Sequence, residues 1–344
     1  MQALIAVLLF EAALRIHNPA GLRLRGDRIL LPARATFHIT NPDDPRLDRV
    51  VVQHRNALGF RGPEVPVDFA SRLSIVTVGG STTECLRLPD DRTWPAVMES
   101  ILARARPDVW VNNAGLSGHS TVGHQVLFDS YLRQLHPRVV VYLTGANDVG
   151  NPVANPFFGW RARLAKYSEV ANLLWNIEGL WRARHLRFDG HGIDPLTAET
   201  RLSSESEIAA AMAKDAPSLD GYRVRLTTLV ERTRAAGIEP ILATQPLLGG
   251  NVNDPATGAS LATIWDPGDE LNGAGTWRML ERYNDVTRAL AASHGVALVD
   301  LARTLPKDSR LFIDLIHFSN DGAAAVGRLM AAALAARFQA EGGV

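Results

Sequence analysis

The sequence predicts an α/β fold, a three-layer α/β/α sandwich built on a doubly wound, five-stranded parallel sheet. Three observations predict it. From Leu73 onward, short continuous runs of β-branched residues alternate with amphipathic helical stretches, the pattern of strands covered on both faces by crossover helices. The runs are apolar throughout rather than alternating, so both faces of each strand are buried. Each run ends in Gly, Asn, Pro or another turn former, which is where a strand hands over to a loop.

The five strands are Leu73–Val78, Val109–Asn112, Arg138–Leu143, Ile238–Ala243 and Val296–Leu301. Between them, Trp94-Pro95 opens a helix running to Arg106, with Pro in the first turn where its missing N–H costs nothing. Further helices are expected over Val122–Leu135, Tyr222–Ala236, Trp277–His294 and Ala323–Phe338. In the fourth of these five, Met279, Tyr283, Val286 and Leu290 fall on one stripe. Right-handed crossovers then place helices on both faces of the sheet.

The rest of the chain divides by texture. Residues 1–20 are an apolar N-terminal helix, read as a membrane anchor with a docked helix as the alternative. The run is short of the roughly 20 apolar residues of a spanning helix and lacks the flanks of a signal peptide. Localisation is therefore left between membrane-anchored, extracytoplasmic and cytoplasmic. Residues 21–70 form an accessory segment with β-like runs at Arg28–Leu31 and Arg49–Val52, and residues 71–340 form the main domain. Two excursions interrupt it. The insertion at about 151–217 carries Phe157, Phe158, Trp160, Tyr167, Trp175 and Trp181, suited to one wall of a cleft or to the insertion's own core. The second, Leu247–Thr276, reads as a rim loop.

Charge narrows the partners. With 36 basic and 36 acidic residues there is no net charge to attract a polyanion, so nucleic acid is not expected as a partner. The single cysteine, Cys85, excludes an internal disulfide and a thiolate cluster. It reads as a small buried residue. No His/Asp/Glu set has metal-ligand spacing, and no cofactor is implied.

In an open parallel sheet, ligands sit beyond the carboxyl ends of the strands. Four polar blocks lie there or just before the last helix. After the first strand, Gly79-Gly80-Ser81 makes a sharp turn that leaves Ser81 at the start of a helix, with its N–H available to an oxyanion. A phosphate-binding turn is the alternative, but no Lys follows where a P-loop needs one. After the second strand, Gly115 offers an unobstructed backbone N–H; after the third, Asn147 offers a side-chain amide, with Asp148 beside it organising the loop. Before the last helix, Asp314 stands three residues ahead of His317, a spacing that lets the carboxylate fold back on the imidazole. His119 and His124 are weaker candidates for the cleft.

Together these blocks resemble the SGNH hydrolases, also called GDSL-like lipases and esterases, over Leu73 to the last helix. The first block of that family usually reads Gly-Asp-Ser, and Gly80 stands here in place of the Asp. The resemblance implies the flavodoxin-like SGNH fold, Ser81 as nucleophile and Asp314 and His317 as its partners. It further implies an oxyanion hole of Ser81, Gly115 and Asn147. The expected function is serine ester hydrolysis on a small-molecule or carbohydrate ester, with short acyl groups on carbohydrate as the expected substrate. Acyl transfer to a sugar hydroxyl by the same residues is the alternative. A non-catalytic carbohydrate-binding protein is the alternative of another class.

Overall fold

The computed structural model describes residues 2–16, 24–25, 28–152, 164–165, 167–174, 197–266 and 269–342. Helix α1 (Gln2–Ile16) is followed by two small antiparallel pairs, β1 (Leu24–Arg25) with β2 (Arg28–Ile29) and β3 (Thr36–Thr40) with β4 (Val50–His54). Five longer parallel strands carry the domain: β5 (Leu73–Gly79), β6 (Val109–Asn113), β7 (Val139–Leu143), β9 (Glu239–Ala243) and β11 (Ala297–Val299). A further antiparallel pair, β8 (Glu199–Thr200) with β10 (Ile264–Trp265), lies outside that sheet. The helices of the domain are α2 (Ser81–Glu84), α3 (Trp94–Leu102), α4 (Thr121–Leu127), α5 (Arg133–Leu135), α6 (Glu205–Ala235), α7 (Gly273–His294), α8 (Leu301–Thr304) and α9 (Asn320–Gly342).

The strand order is β11-β9-β7-β5-β6, every neighbour parallel. The chain therefore moves one way from β5 to β6 and the other way to β7, so the sheet's switch point lies over the end of β5. That is where the Gly79-Gly80-Ser81 turn emerges. Helix α3 packs on α9, and α6 packs on α4 and α7, closing the sheet between two helical layers. Strands β5, β6 and β7 are buried at every position, as their uninterrupted apolar runs require. The stripe of Met279, Tyr283, Val286 and Leu290 is the buried face of α7.

The expected strands match these elements to within about two residues at their ends. The helix ends agree less closely: α3 stops at Leu102 rather than Arg106, α7 begins at Gly273 rather than Trp277, and α9 runs from Asn320 to Gly342 rather than from Ala323 to Phe338, while one helix differs by far more. The helix expected from Tyr222 begins at Glu205, because Ser204 and Glu207 form a capping box that starts it there, and Pro217 sits inside it without ending it. The excursion expected at 151–217 thus closes by Ser204. Of its aromatics, Tyr167 is described and is exposed, while Phe157, Phe158, Trp160, Trp175 and Trp181 lie outside the described residues.

From the segment ahead of β5, Ile29, Leu47 and Phe60 belong to the same buried cluster as the sheet. Helix α1 exposes Ile5, Val7, Leu8, Leu9 and Phe10, and buries Leu14. Its Glu11 carboxylate accepts the N–H groups of Glu169 and Val170 and the Ser168 hydroxyl. No described helix is long and apolar enough to cross a membrane.

Candidate active site

The turn after β5 is built from two glycines that neighbouring atoms crowd closely. A Cβ on Gly79 would lie 2.6 Å from the Leu143 carbonyl oxygen, and one on Gly80 would lie 2.1 Å from Asn147 Nδ2. The chain bends there and opens α2 with Ser81 as its first residue. The helix ends at Cys85 in the left-handed region, φ 52°. Trp94 Nε1 donates to the Thr82 carbonyl at 3.1 Å, and Thr82 Oγ1 donates to Gln245 at 2.9 Å, fixing the turn from both sides.

Facing Ser81 is a closed loop that precedes α9. The Ile313 N–H donates to the His317 carbonyl at 2.9 Å, and Phe312 bridges Phe318. Inside it, Asp314 Oδ1 accepts the N–H groups of Ile316 and His317 at 2.8 and 2.7 Å, while Oδ2 lies 2.7 Å from His317 Nδ1. The other imidazole nitrogen, Nε2, is 2.7 Å from Ser81 Oγ. Asp314 is buried and His317 half-buried. An imidazole whose Nδ1–H is held by a carboxylate presents Nε2 as the acceptor, so the Ser81 hydroxyl has a base aligned on its proton.

Of the residues expected to receive an oxyanion, the geometry brings Ser81 and Asn147 together and separates Gly115 from them. The Gly115 N–H donates to Asn113 Oδ1 at 2.9 Å, and the residue is buried beneath α2, where a Cβ would meet Glu84 N at 2.3 Å. It is still tied to β5, since Ala114 N donates to Thr77 O and Leu116 N to Gly79 O. Gly115 is required for packing, and its N–H is spent within its own turn. Three residues on, the loop reaches the cleft at Gly118, φ +76°, exposed and with no acceptor for its N–H among the described residues. Sequence reasoning passed over Gly118 by taking the first glycine after the strand. Asn147 Nδ2 donates to the His119 carbonyl at 3.1 Å, which aims the amide across the mouth of the turn.

A second set of residues was not legible from the blocks. Glu84, fully buried, accepts the Ser117 N–H at 2.7 Å and the Ser117 hydroxyl, and pairs with Arg55 at 2.6 Å. It thereby ties α2 to the loop carrying Gly118. Asp148, also buried, accepts the Thr121 N–H and pairs with Arg225 of α6 at 2.9 Å, which is the loop-organising role expected of it.

The remaining candidates fall on the walls. Cys85 is buried, and burial raises its thiol to about 11, so it is protonated and unreactive. Burial, joined by the charge of His119, pushes His124 down to about 3, against the Gly79 backbone, and keeps its ring neutral. His119 and His124 border a cavity of about 20 Å³ beside Ser81, which also touches Thr144, Gln245 and Asn147. On the other side Ser81, Gly118, Asn147 and His317 border a cleft of about 360 Å³. Among the described residues no group of three His, Cys, Asp or Glu side chains is placed to hold a metal ion.

A sequence model of the GDSL-like Lipase/Acylhydrolase family matches residues 77–325. No curated protein sequence matches the chain. Solved structures with a similar fold include an acetylxylan esterase from Geobacillus stearothermophilus, 18% identical, covering 76% of this chain and 91% of its own with a TM-score of 0.43. A psychrotrophic esterase from Pseudoalteromonas is 13% identical, covering 78% of this chain and 99% of its own with a TM-score of 0.44.

Proposed function

The chain belongs to the GDSL-like Lipase/Acylhydrolase family and is a carboxylic ester hydrolase, and within that family we propose that it works through a Ser81-His317-Asp314 triad and a Ser81-bound acyl-enzyme. The observation that carries this reading is the unbroken chain of two 2.7 Å contacts, Ser81 Oγ to His317 Nε2 and His317 Nδ1 to Asp314 Oδ2.

In the first half-reaction Ser81 Oγ attacks the ester carbonyl carbon as its proton passes to His317 Nε2, and Asp314 stabilises the imidazolium. The negative oxygen of the tetrahedral intermediate is received by the N–H groups of Ser81 and Gly118 and by Asn147 Nδ2. Gly118 fills the place that the sequence alone gave to Gly115. As the intermediate collapses, the imidazolium proton goes to the leaving alcohol. Water then attacks the acyl carbon, gives its proton to His317 and releases the acid, restoring Ser81.

The substrate is an ester with a short acyl group. Supporting that reading, the space beside Ser81 on the His119 and His124 side is only about 20 Å³, enough for a methyl-sized group, whereas the 360 Å³ cleft on the other side suits the larger alcohol, a carbohydrate among them. The test is hydrolysis of p-nitrophenyl esters from acetate to octanoate by the protein and by Ser81→Ala. Rates should be highest for acetate and fall with chain length, and the variant should lose at least about 10³-fold. Equal rates in both proteins would remove Ser81 from the mechanism.

A further inference from the structure

The cleft over Ser81 carries a cation, Arg87, that no carboxylate among the described residues pairs with in an ion pair. Arg87 borders both the 360 Å³ cleft and an outer space of about 500 Å³, together with Ile313 and Asp314, so it stands where the two meet. The other arginines of the outer space are committed, Arg46 to Asp44 at 2.7 Å and Arg310 to Asp308. Asp314 is engaged by His317. Among the described residues Arg87 makes no ion pair, although it is half-buried and its charge is felt at Asp44.

The backbone that presents Arg87 is held with unusual completeness. Arg61 donates to the carbonyls of Glu84 and Cys85 at 2.7 and 2.9 Å and to that of Leu88 at 2.8 Å. Gln53 Nε2 donates to the Leu86 carbonyl, and Asn41 Nδ2 to that of Arg87 at 2.8 Å. All three donors are buried, Gln53 at 0%, Arg61 at 2% and Asn41 at 3% exposure. Every carbonyl from 84 to 88 thus has a fixed partner, and the main chain that carries Arg87 is held at the edge of the cleft. A half-buried guanidinium with no ion pair among the described residues has given up part of its hydration, and its planar fork matches a carboxylate or phosphate.

Resting on the Ser81 reading above, we propose that Arg87 is a specificity subsite that binds an anionic group on the alcohol portion of the ester. Carboxylate and phosphate share this chemistry, and separate substrates distinguish them. The test compares phenyl acetate with 4-acetoxybenzoate and 4-acetoxyphenyl phosphate. Arg87→Gln should lower kcat/KM about tenfold or more for at least one of the two anionic esters, with phenyl acetate unchanged. Whichever anion loses more is the group the subsite fits. A second measurement needs no turnover: calorimetric binding of the same two anionic esters to Ser81→Ala and to Ser81→Ala with Arg87→Gln. Binding that weakens with the second substitution upholds the subsite even if Ser81→Ala proves as active as the parent, an outcome that would overturn the nucleophile alone. Equal losses on neutral and anionic esters, or undiminished binding of both anions, would overturn the role of Arg87.

Discussion

Gly80 shows how one missing side chain shapes the site. The family's usual aspartate at this position would place a Cβ 2.1 Å from Asn147 Nδ2 in this chain, so the amide proposed to receive the oxyanion would be pushed from the cleft. Gly80→Asp is therefore expected to lower kcat by about 10²–10³-fold, the scale of losing one oxyanion donor, while leaving thermal unfolding close to that of the parent. Parallel p-nitrophenyl acetate kinetics and melting curves check both halves. Unchanged kcat would mean that Asn147 has room to move without consequence. At this scale Ser81, Asn147, Asp314 and His317 were legible because their spacing to strand ends and turns is local. Gly118 was not, since which of two glycines keeps a free N–H depends on Asn113 folding back onto Gly115.

Between elements, the helix that opens with Ser81 is held by the N-terminal segment rather than by its own length. Helix α2 spans Ser81–Glu84, too short to stand alone, and Arg55, Arg61, Gln53 and Asn41 supply the contacts that fix it and the strand of chain after it. Glu84→Gln would remove the carboxylate charge that Arg55 meets at 2.6 Å, a loss of about 3–5 kcal/mol for breaking a buried pair, and would loosen Ser117 and with it Gly118. The expected result is a lower urea midpoint with reduced kcat and little change in KM; a midpoint equal to the parent's would show that Arg55 finds another partner. None of this was legible. The segment reads as irregular β-like runs, and nothing local in Asn41, Gln53, Arg55 or Arg61 says that their partners lie tens of residues away. Helix α6 is the opposite case: the Ser204 and Glu207 pair that starts it is a local signal, and Pro217 masked it.

For the molecule as a whole, the parallel sheet was legible because both-face burial of β5, β6 and β7 demands uninterrupted apolar runs, and the order of the blocks followed from it. Global stability should also carry the mark of His124. Its folded pKa, about 3, lies below the ordinary value of 6.5, so between those limits the unfolded chain binds more protons and stability falls as pH falls, by up to about 1.4 kcal/mol per pH unit from this group. Urea unfolding of the parent and His124→Gln between pH 7 and 4 reads it: the variant should show the shallower slope, and parallel slopes would remove His124 as the cause. The grip of the N-terminal segment on residues 84–88 has a last consequence, in the order of synthesis. The donors Asn41, Gln53 and Arg61 leave the ribosome before the carbonyls they hold, whereas His317 follows Ser81 by most of the chain. A nascent chain can thus cradle its serine early, with the imidazole that faces it arriving only with the last loop.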